Sequence, residues 1–314
     1  MTAVALDEAE EFLRTRFGPG INDVQEIGAG AWSRCFGFTH DGRALAIRFG
    51  GYVDDFEKDR FAGRFHSPAL PIPQVSEIGE APGGYYAVST RAYGSPLEQM
   101  DRAEWNAVAR LAADALEAMR TADLSGTSGW GGWNGDGQAQ LRGWSQHLLA
   151  VDIDTPDRRT FGWREKLAAH PALDDLFRRG YARLRQVASD DVPRSLIHSD
   201  LMNRNVLASA RPGGQAEIGG IFDWGCGLYG DHLYDLAWFD YWSPWHPGID
   251  TELLWAESRE RWRRAGYTPE NLPDRLAACY LQIGLDHFAY NAWLEDWPTL
   301  EATARRMIEL VSLE

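Results

Sequence analysis

The chain has 314 residues, 44% of them hydrophobic and 25% charged, with 46 acidic against 31 basic side chains and a formal net charge of −15. That balance argues against nucleic acid as a partner, since binding a polyphosphate needs a basic face. The absence of any run of eighteen apolar residues argues against a helical membrane span. The same charge suits a cationic, polyamine-like small molecule, which an acidic surface draws in.

In chain order, Met1–Glu11 is acidic and alanine-rich. It lacks the basic and apolar regions of a signal peptide, so none is read there. Asp23–Ile27 and Ser33–Thr39 are predicted strands around the glycine turn Glu26-Ile-Gly-Ala-Gly-Ala-Trp-Ser33. Arg43–Phe49 follows Asp41-Gly42, a pair that favours a type I′ hairpin. Asp54–Phe65 is predicted helical, and Gln74–Glu80 and Tyr85–Thr90 are strands around Pro82-Gly83-Gly84. The expected order is β-β-β-α-β-β.

From Ser95 onward, helical spacing dominates. Asp101 caps a run to Ala122 with Trp105, Val108, Leu111, Ala112, Ala115 and Met119 on one face. Further helices are predicted at Leu141–Ala150, Trp163–Ala188, Tyr234–Tyr241, Asp250–Ala265 and Leu272–Leu294, with a last one ending near Leu313. Short strands interrupt them at Ser195–Ile197, Val206–Ala208 and Ile218–Phe222. The fold class is therefore α+β. A sheet-rich lobe over residues 1–93 meets a mainly helical lobe over residues 94–314, with a cleft between them and a hinge near Thr90–Gly94. Cys35, Cys226 and Cys279 are odd in number and irregularly spaced, fitting neither a disulfide framework nor a zinc site. A reduced, cytoplasmic compartment is expected.

The chemistry concentrates in Leu196-Ile-His-Ser-Asp-Leu-Met-Asn-Arg-Asn-Val-Leu207 and, after a short polar loop, Ile221-Phe-Asp-Trp-Gly225. Phosphoryl transfer needs a carboxylate beside the attacking hydroxyl and oxygen ligands that hold Mg²⁺ against the phosphates. Asp200 is the expected catalytic carboxylate, while Asn205 and Asp223 are the expected metal ligands. His198 is expected to bond the loop backbone rather than to move protons.

These two motifs, with Gly230-Asp231 and Tyr234-Asp235-Leu-Ala237, resemble the signature of the aminoglycoside phosphotransferase and choline kinase superfamily. Ser33-Arg34, Phe56-Glu-Lys-Asp-Arg60, Ala69-Leu-Pro-Ile-Pro73, Asp123-Leu-Ser125 and Ile283-Gly-Leu-Asp286 further resemble its hygromycin B phosphotransferases. The resemblance implies a bilobal, protein-kinase-like fold. It also implies ATP-dependent phosphorylation of an aminocyclitol hydroxyl, the 4-hydroxyl of hygromycin B in that subfamily, with antibiotic resistance as the outcome. ATP with Mg²⁺ is the expected cofactor, with GTP left open. The sequence leaves the oligomeric state open, and a monomer is favoured.

Within that frame, Gly28, Gly30 and Ser33 are expected at the phosphates, because glycine lets backbone N–H groups approach closely. The superfamily usually places a lysine on the third strand, but only Lys58 and Lys166 occur in the whole chain. Arg48 takes that role by position, aided by either Glu57 or Asp59. Arginine keeps the charge and binds phosphate bidentately. The Thr90 carbonyl and Ala92 N–H are placed at the adenine edge by resemblance alone. For the acceptor, candidate carboxylates are Asp231, Asp235, Asp240, Asp286, Glu295 and Asp296. Asp231 and Asp235 also read as supports for the catalytic loop and the helix from Tyr234. Trp130 and Trp133 are candidates for stacking on a sugar ring. Two rival readings remain: a kinase of another small hydroxyl compound (a macrolide, a choline-like alcohol or a sugar), and an inactive binding module.

Overall fold

The computed structural model describes residues 4–30, 32–211 and 215–313. Ala31 of the glycine turn and residues 212–214 of the loop between the two motifs lie outside the described residues. The chain opens with α1 (Leu6–Phe17), which the sequence reading did not anticipate, and continues with β1 (Ile21–Ala29), β2 (Ser33–His40), β3 (Arg43–Gly50), α2 (Val53–Ala62), β4 (Val75–Ala81) and β5 (Gly84–Thr90). The strands form one antiparallel sheet in the order β1-β2-β3-β5-β4. Asp41 and Gly42 both take positive φ, 50° and 74°, as a type I′ turn requires.

The outer sheet face buries Phe36, Phe38, Ile47, Phe49 and Val88. Helix α1 covers it with Ala9 and Leu13, residues at i and i+4 on one face. Its Phe12 meets Phe49 and Tyr86 edge-on at 5.3 and 5.0 Å. The apolar positions Ala9, Phe12 and Leu13, at helical spacing, carried that signal. Helix α2 joins the sheet to the rest of the molecule, since its Phe56 packs on Arg48 of β3 and its Ala62 belongs to the core of the second half.

The second half comprises β6 (Ser95–Pro96), α3 (Arg102–Arg120), β7 (Trp130–Trp133), β8 (Ala139–Leu141), α4 (Trp144–Leu149), α5 (Trp163–Ala168), α6 (Pro171–Val187), β9 (Ser195–Ile197), β10 (Val206–Arg211), β11 (Gln215–Ile221), β12 (Leu228–Gly230), α7 (Leu233–Trp242), α8 (Thr251–Arg264), α9 (Leu272–Leu294) and α10 (Trp297–Val311). The single helix expected over Trp163–Ala188 is two, because Pro171 lacks the N–H that a continuous helix would use and instead opens α6. Asp101 caps α3 by accepting from the N–H groups of Ala103 and Glu104, and Glu104 bonds back to the Asp101 N–H. Strands β7, β8, β12 and β9 make a small sheet beside the cleft that the sequence did not reveal, except at β9. No helix among the described residues is long and apolar enough to cross a membrane.

The passage between the halves is held by close backbone contact. A Cβ added at Gly219 would lie 1.9 Å from the Tyr93 carbonyl oxygen, and one at Gly94 (φ 130°) would lie 2.6 Å from that of Ala208. Only glycine permits such an approach. Strand β6 then pairs with β10, Ser95 opposite Ala208.

Helix α4 contributes an acid-sensitive element. His147 stacks on Trp144 with ring centroids 4.8 Å apart. Burial and the nearby Arg158 push its pKa down to about 4. The unfolded chain therefore takes up a proton on this histidine near pH 6.5 and the folded one does not until near pH 4, so its contribution to stability is lost as pH falls through that window. His147→Gln is expected to be less stable than the parent by a constant margin above pH 7, and the margin should shrink between pH 6.5 and 4. Urea denaturation of both proteins across that range is the measurement. A margin independent of pH would contradict it.

Candidate active site

The loop between β9 and β10 carries the first motif, and its shape comes from buried polar contacts. Asp235, on the first turn of α7, accepts from the N–H groups of His198 and Ser199 at 2.9 and 2.8 Å. Ser199 and Arg204 sit at positive φ, 63° and 61°. His198 is fully buried and its Nε2 lies 2.9 Å from the Phe222 carbonyl oxygen, while Nδ1 accepts from the Asp200 N–H at 3.3 Å. Burial pushes its pKa down to about 4. Both ring nitrogens are committed to the backbone, so His198 is a brace between the two motifs.

Asp200 faces Asn203 and Asn205. The Asn205 amide donates to the Asp200 carbonyl at 2.8 Å and to its carboxylate at 3.1 Å, and Asn203 donates at 3.4 Å. Burial, and after it the charge of Asp223, push the Asp200 pKa up to about 8, against the lowering effect of the two amides. Asp223 follows β11 at φ 65°. The first and second motifs therefore meet, as the strand-end placement implied.

Arg48 sits in the same cross-strand row as Gly28, through the register Gly28–Cys35 and Cys35–Arg48. It forms ion pairs with Asp59 and, at 3.0 Å, with Asp223, and its guanidinium lies 4.8 Å from the centre of the Phe56 ring. Burial opposes its charge, and the carboxylates of Asp59 and Asp223 outweigh that and raise its pKa. The alternative left open between Glu57 and Asp59 falls to Asp59. Its other oxygen accepts from the Trp224 N–H at 2.7 Å, so one side chain joins α2, Arg48 and the second motif. Glu57 instead lies over Gly135. Lys58, which the sequence left without a task, is buried. It donates to the carbonyls of Gly225 and Gly227 and lies 5.0 Å from the centre of the Trp133 ring.

The Gly30 N–H donates to the Ser33 carbonyl at 3.0 Å, which closes the tip of the β1–β2 turn. The Thr90 hydroxyl accepts from the Gln74 N–H at 3.0 Å. The Ala92 side chain packs on Gly220, and the Ala92 N–H has no hydrogen-bond partner among the described residues.

Two acceptor candidates are corrected. Asp231 is 1% exposed and holds Arg275 through both oxygens at 2.6 and 2.7 Å while capping α7 at the Leu233 N–H, so it has no face left for a ligand. Trp133 is 3% exposed, stacked on Tyr229 at 5.7 Å and covered by Lys58, so it is packing between the halves. Trp130 is half-buried. Asp240 serves Trp255 and Tyr280. Asp296 caps α10, and Glu295 pairs with Lys166 at 2.9 Å. Asp286 keeps 46% of its side chain exposed, 3.7 Å from Arg158. It shares one face of α9 with Tyr290 and Trp293, at i, i+4 and i+7. Burial, and after it the charge of Asp200, raise the Tyr290 pKa.

Among the described residues no group of three His, Cys, Asp or Glu side chains could hold a metal unaided. One amide and one carboxylate beside a second, repelled carboxylate nevertheless suit Mg²⁺, which takes one or two protein oxygens and completes its shell with phosphate and water.

A five-stranded antiparallel lobe over a helical one, with paired acidic motifs at the junction, defines a bilobal, kinase-like phosphotransferase. A model of the phosphotransferase enzyme family matches residues 57–267. A hygromycin-B 4-O-kinase of Escherichia coli is 32% identical, over 88% of this chain and 76% of that protein. The chain belongs to the phosphotransferase enzyme family. The crystal structure of aminoglycoside phosphotransferase APH(4)-Ia superposes with a TM-score of 0.81 at 30% identity, covering 98% of this chain and 99% of that one. Its thermostable mutant in ternary complex with AMP-PNP and hygromycin B gives 0.79 at 30% identity, over 96% and 97%. Spectinomycin phosphotransferase APH(9)-Ia, in complex with ADP and spectinomycin, shares the fold with a TM-score of 0.61 at 13% identity, over 99% and 97%.

Proposed function

We propose that this enzyme transfers the γ-phosphoryl group of ATP to a hydroxyl of an aminoglycoside, hygromycin B at its 4-hydroxyl, and so confers resistance to it. The observation that carries this is the meeting of Asp200 with Asp223 and Arg48 at the junction of the lobes, in a chain similar over most of its length to a hygromycin-B 4-O-kinase. We assign residues 1–93 to the nucleotide lobe and 94–314 to the lobe that carries the catalytic loop and acceptor.

Asp200 orients the acceptor hydroxyl and takes its proton. The hydroxyl oxygen bonds to the γ-phosphorus, the bond to the β–γ bridging oxygen breaks, and ADP leaves. Arg48 steadies the α- and β-phosphates from the row it shares with Gly28, with Gly30 and Ser33 at the turn above. The Thr90 carbonyl and Ala92 N–H meet the adenine edge. Asn205 and Asp223 would hold Mg²⁺, which when bound neutralises phosphate charge. Asp286 and Trp130 are the remaining candidates for the ammonium groups and a ring of the acceptor. A cytoplasmic monomer working on this small cation accords with the charge and the free cysteines.

The test is purified enzyme with labelled Mg·ATP and a panel of hygromycin B, other aminoglycosides, a macrolide, choline and simple sugars, with the product mapped. Label on the hygromycin B 4-hydroxyl is the expected result. Labelling of another panel member with none on hygromycin B would replace this reading by the broader small-molecule kinase.

A further inference from the structure

Outside the catalytic contacts, a second set of groups crosses between the lobes. Tyr52, which precedes α2, and Trp32, beside the glycine turn, belong to the sheet lobe; Arg159 and Trp293 belong to the helical lobe. The Arg159 guanidinium lies 3.7 Å from the centre of the Tyr52 ring. It donates to both oxygens of Asp55 at 3.0 and 3.1 Å and approaches Asp54 at 3.5 Å. Tyr52 meets Trp32 edge-on at 6.0 Å, and Trp32 stacks on Trp293 at 6.1 Å with 24° between planes. The row therefore runs Arg159, Tyr52, Trp32, Trp293, leaving the helical lobe and returning to it.

Its surroundings give it a purpose. Trp32 directly precedes Ser33, and Trp293 shares the α9 face of Asp286 and Tyr290. The row thus ties the phosphate turn to the acceptor side of the cleft. Trp32 and Tyr52 are 37% and 38% exposed, and the Arg159 side chain 35% exposed. Large aromatic groups left this open are not core, and a guanidinium set on a ring and a carboxylate fork at once is a specific joint. A surface ion pair alone would contribute little.

We propose that Arg159, Tyr52, Trp32 and Trp293 form a latch between the lobes that positions the phosphate turn over the transferring group and keeps water from competing with the acceptor hydroxyl. These are positioning residues; none touches the reacting atoms. The inference rests on the phosphoryl-transfer reading above. The competing reaction is hydrolysis: water oxygen bonds to the γ-phosphorus, the bond to the β–γ bridging oxygen breaks, ADP and inorganic phosphate leave, and a proton goes to solvent. Excluding water is a general task of such closures.

The test compares the parent with Trp32→Ala, Trp32→Phe and Arg159→Ala under saturating Mg·ATP, with and without hygromycin B, measuring ADP and phosphorylated product separately. Since the substituted side chains are at the surface, the fold is retained. The ratio of phosphorylated product to hydrolysed ATP (ADP minus product) is expected to fall about tenfold in both alanine variants, the equivalent of one cation–ring or ring–ring contact, and to recover in Trp32→Phe. An unchanged ratio in both alanine variants overturns the latch. If the parent forms no product on hygromycin B, the acceptor assignment fails, and ADP formed without acceptor decides the latch: a rise of about tenfold in both alanine variants supports it, and no rise overturns it.

Discussion

Asp200→Asn is expected to lower kcat by about 10³-fold while the KM for Mg·ATP changes by less than about twofold, within the 10²–10⁴ range of a lost general base. The substitution is nearly isosteric, and an asparagine oxygen can still accept from the Asn205 amide that now sits 3.1 Å from the carboxylate. What it removes is the capacity to take the hydroxyl proton. Burial and the neighbouring Asp223 hold the Asp200 pKa up at about 8, which strengthens it as a base but favours its protonated form at neutral pH. In the proposed reading, a cation held by Asp223 would oppose the second of these effects. Steady-state kinetics with a direct assay of phosphorylated product is the check. A variant that keeps more than about a tenth of parental turnover would remove Asp200 from the role of base.

Arg275→Ala is expected to cost about 3–5 kcal/mol of stability. Asp231 and Arg275 are 44 residues apart in sequence, and their side chains are 1% and 6% exposed, joined through both carboxylate oxygens. Removing the guanidinium leaves a buried carboxylate with only the Leu233 N–H among these partners, next to His232 at 3.5 Å. Most of the loss is the penalty of that stranded charge rather than the worth of the pair. The double variant Arg275→Met with Asp231→Asn should therefore recover more than half of it. Urea denaturation of the three proteins is the measurement. A single variant within about 1 kcal/mol of the parent would show that water or rearrangement reaches the site.

The part of the site legible in the sequence is the part whose members lie near one another in the chain. Asp200 and Asn205 share one loop, Asp223 ends the neighbouring strand, and both motifs carry apolar strand residues that fix their direction. The helix order was legible where Asp101 or Asp250 supplied a cap and the apolar spacing ran unbroken. Where the reading failed, the missing information was orientation or distant contact. Glu57 and Asp59 are two positions apart on a helix, and only packing shows that Asp59 turns to Arg48. Trp133 lies in a glycine-rich stretch that reads as an exposed loop, yet it forms a strand beneath Lys58. Asp231 looked available to a ligand because its partner Arg275 is far along the chain. Helix α1 was passed over in a segment judged by its charge, and Pro171 divides a helix that apolar spacing alone would join.

The scarcity of lysine has a practical side. Of the two in the sequence, Lys58 is 7% exposed with its amine held by backbone carbonyls, whereas the Lys166 side chain is 37% exposed. Its amine donates to the Trp293 carbonyl at 2.7 Å. An amine-reactive dye would therefore mark one side chain, besides the amino terminus, and would place its reporter on the residue behind the tryptophan stack. Single-molecule or quenching experiments on this enzyme could begin from the native protein, with no cysteine engineering.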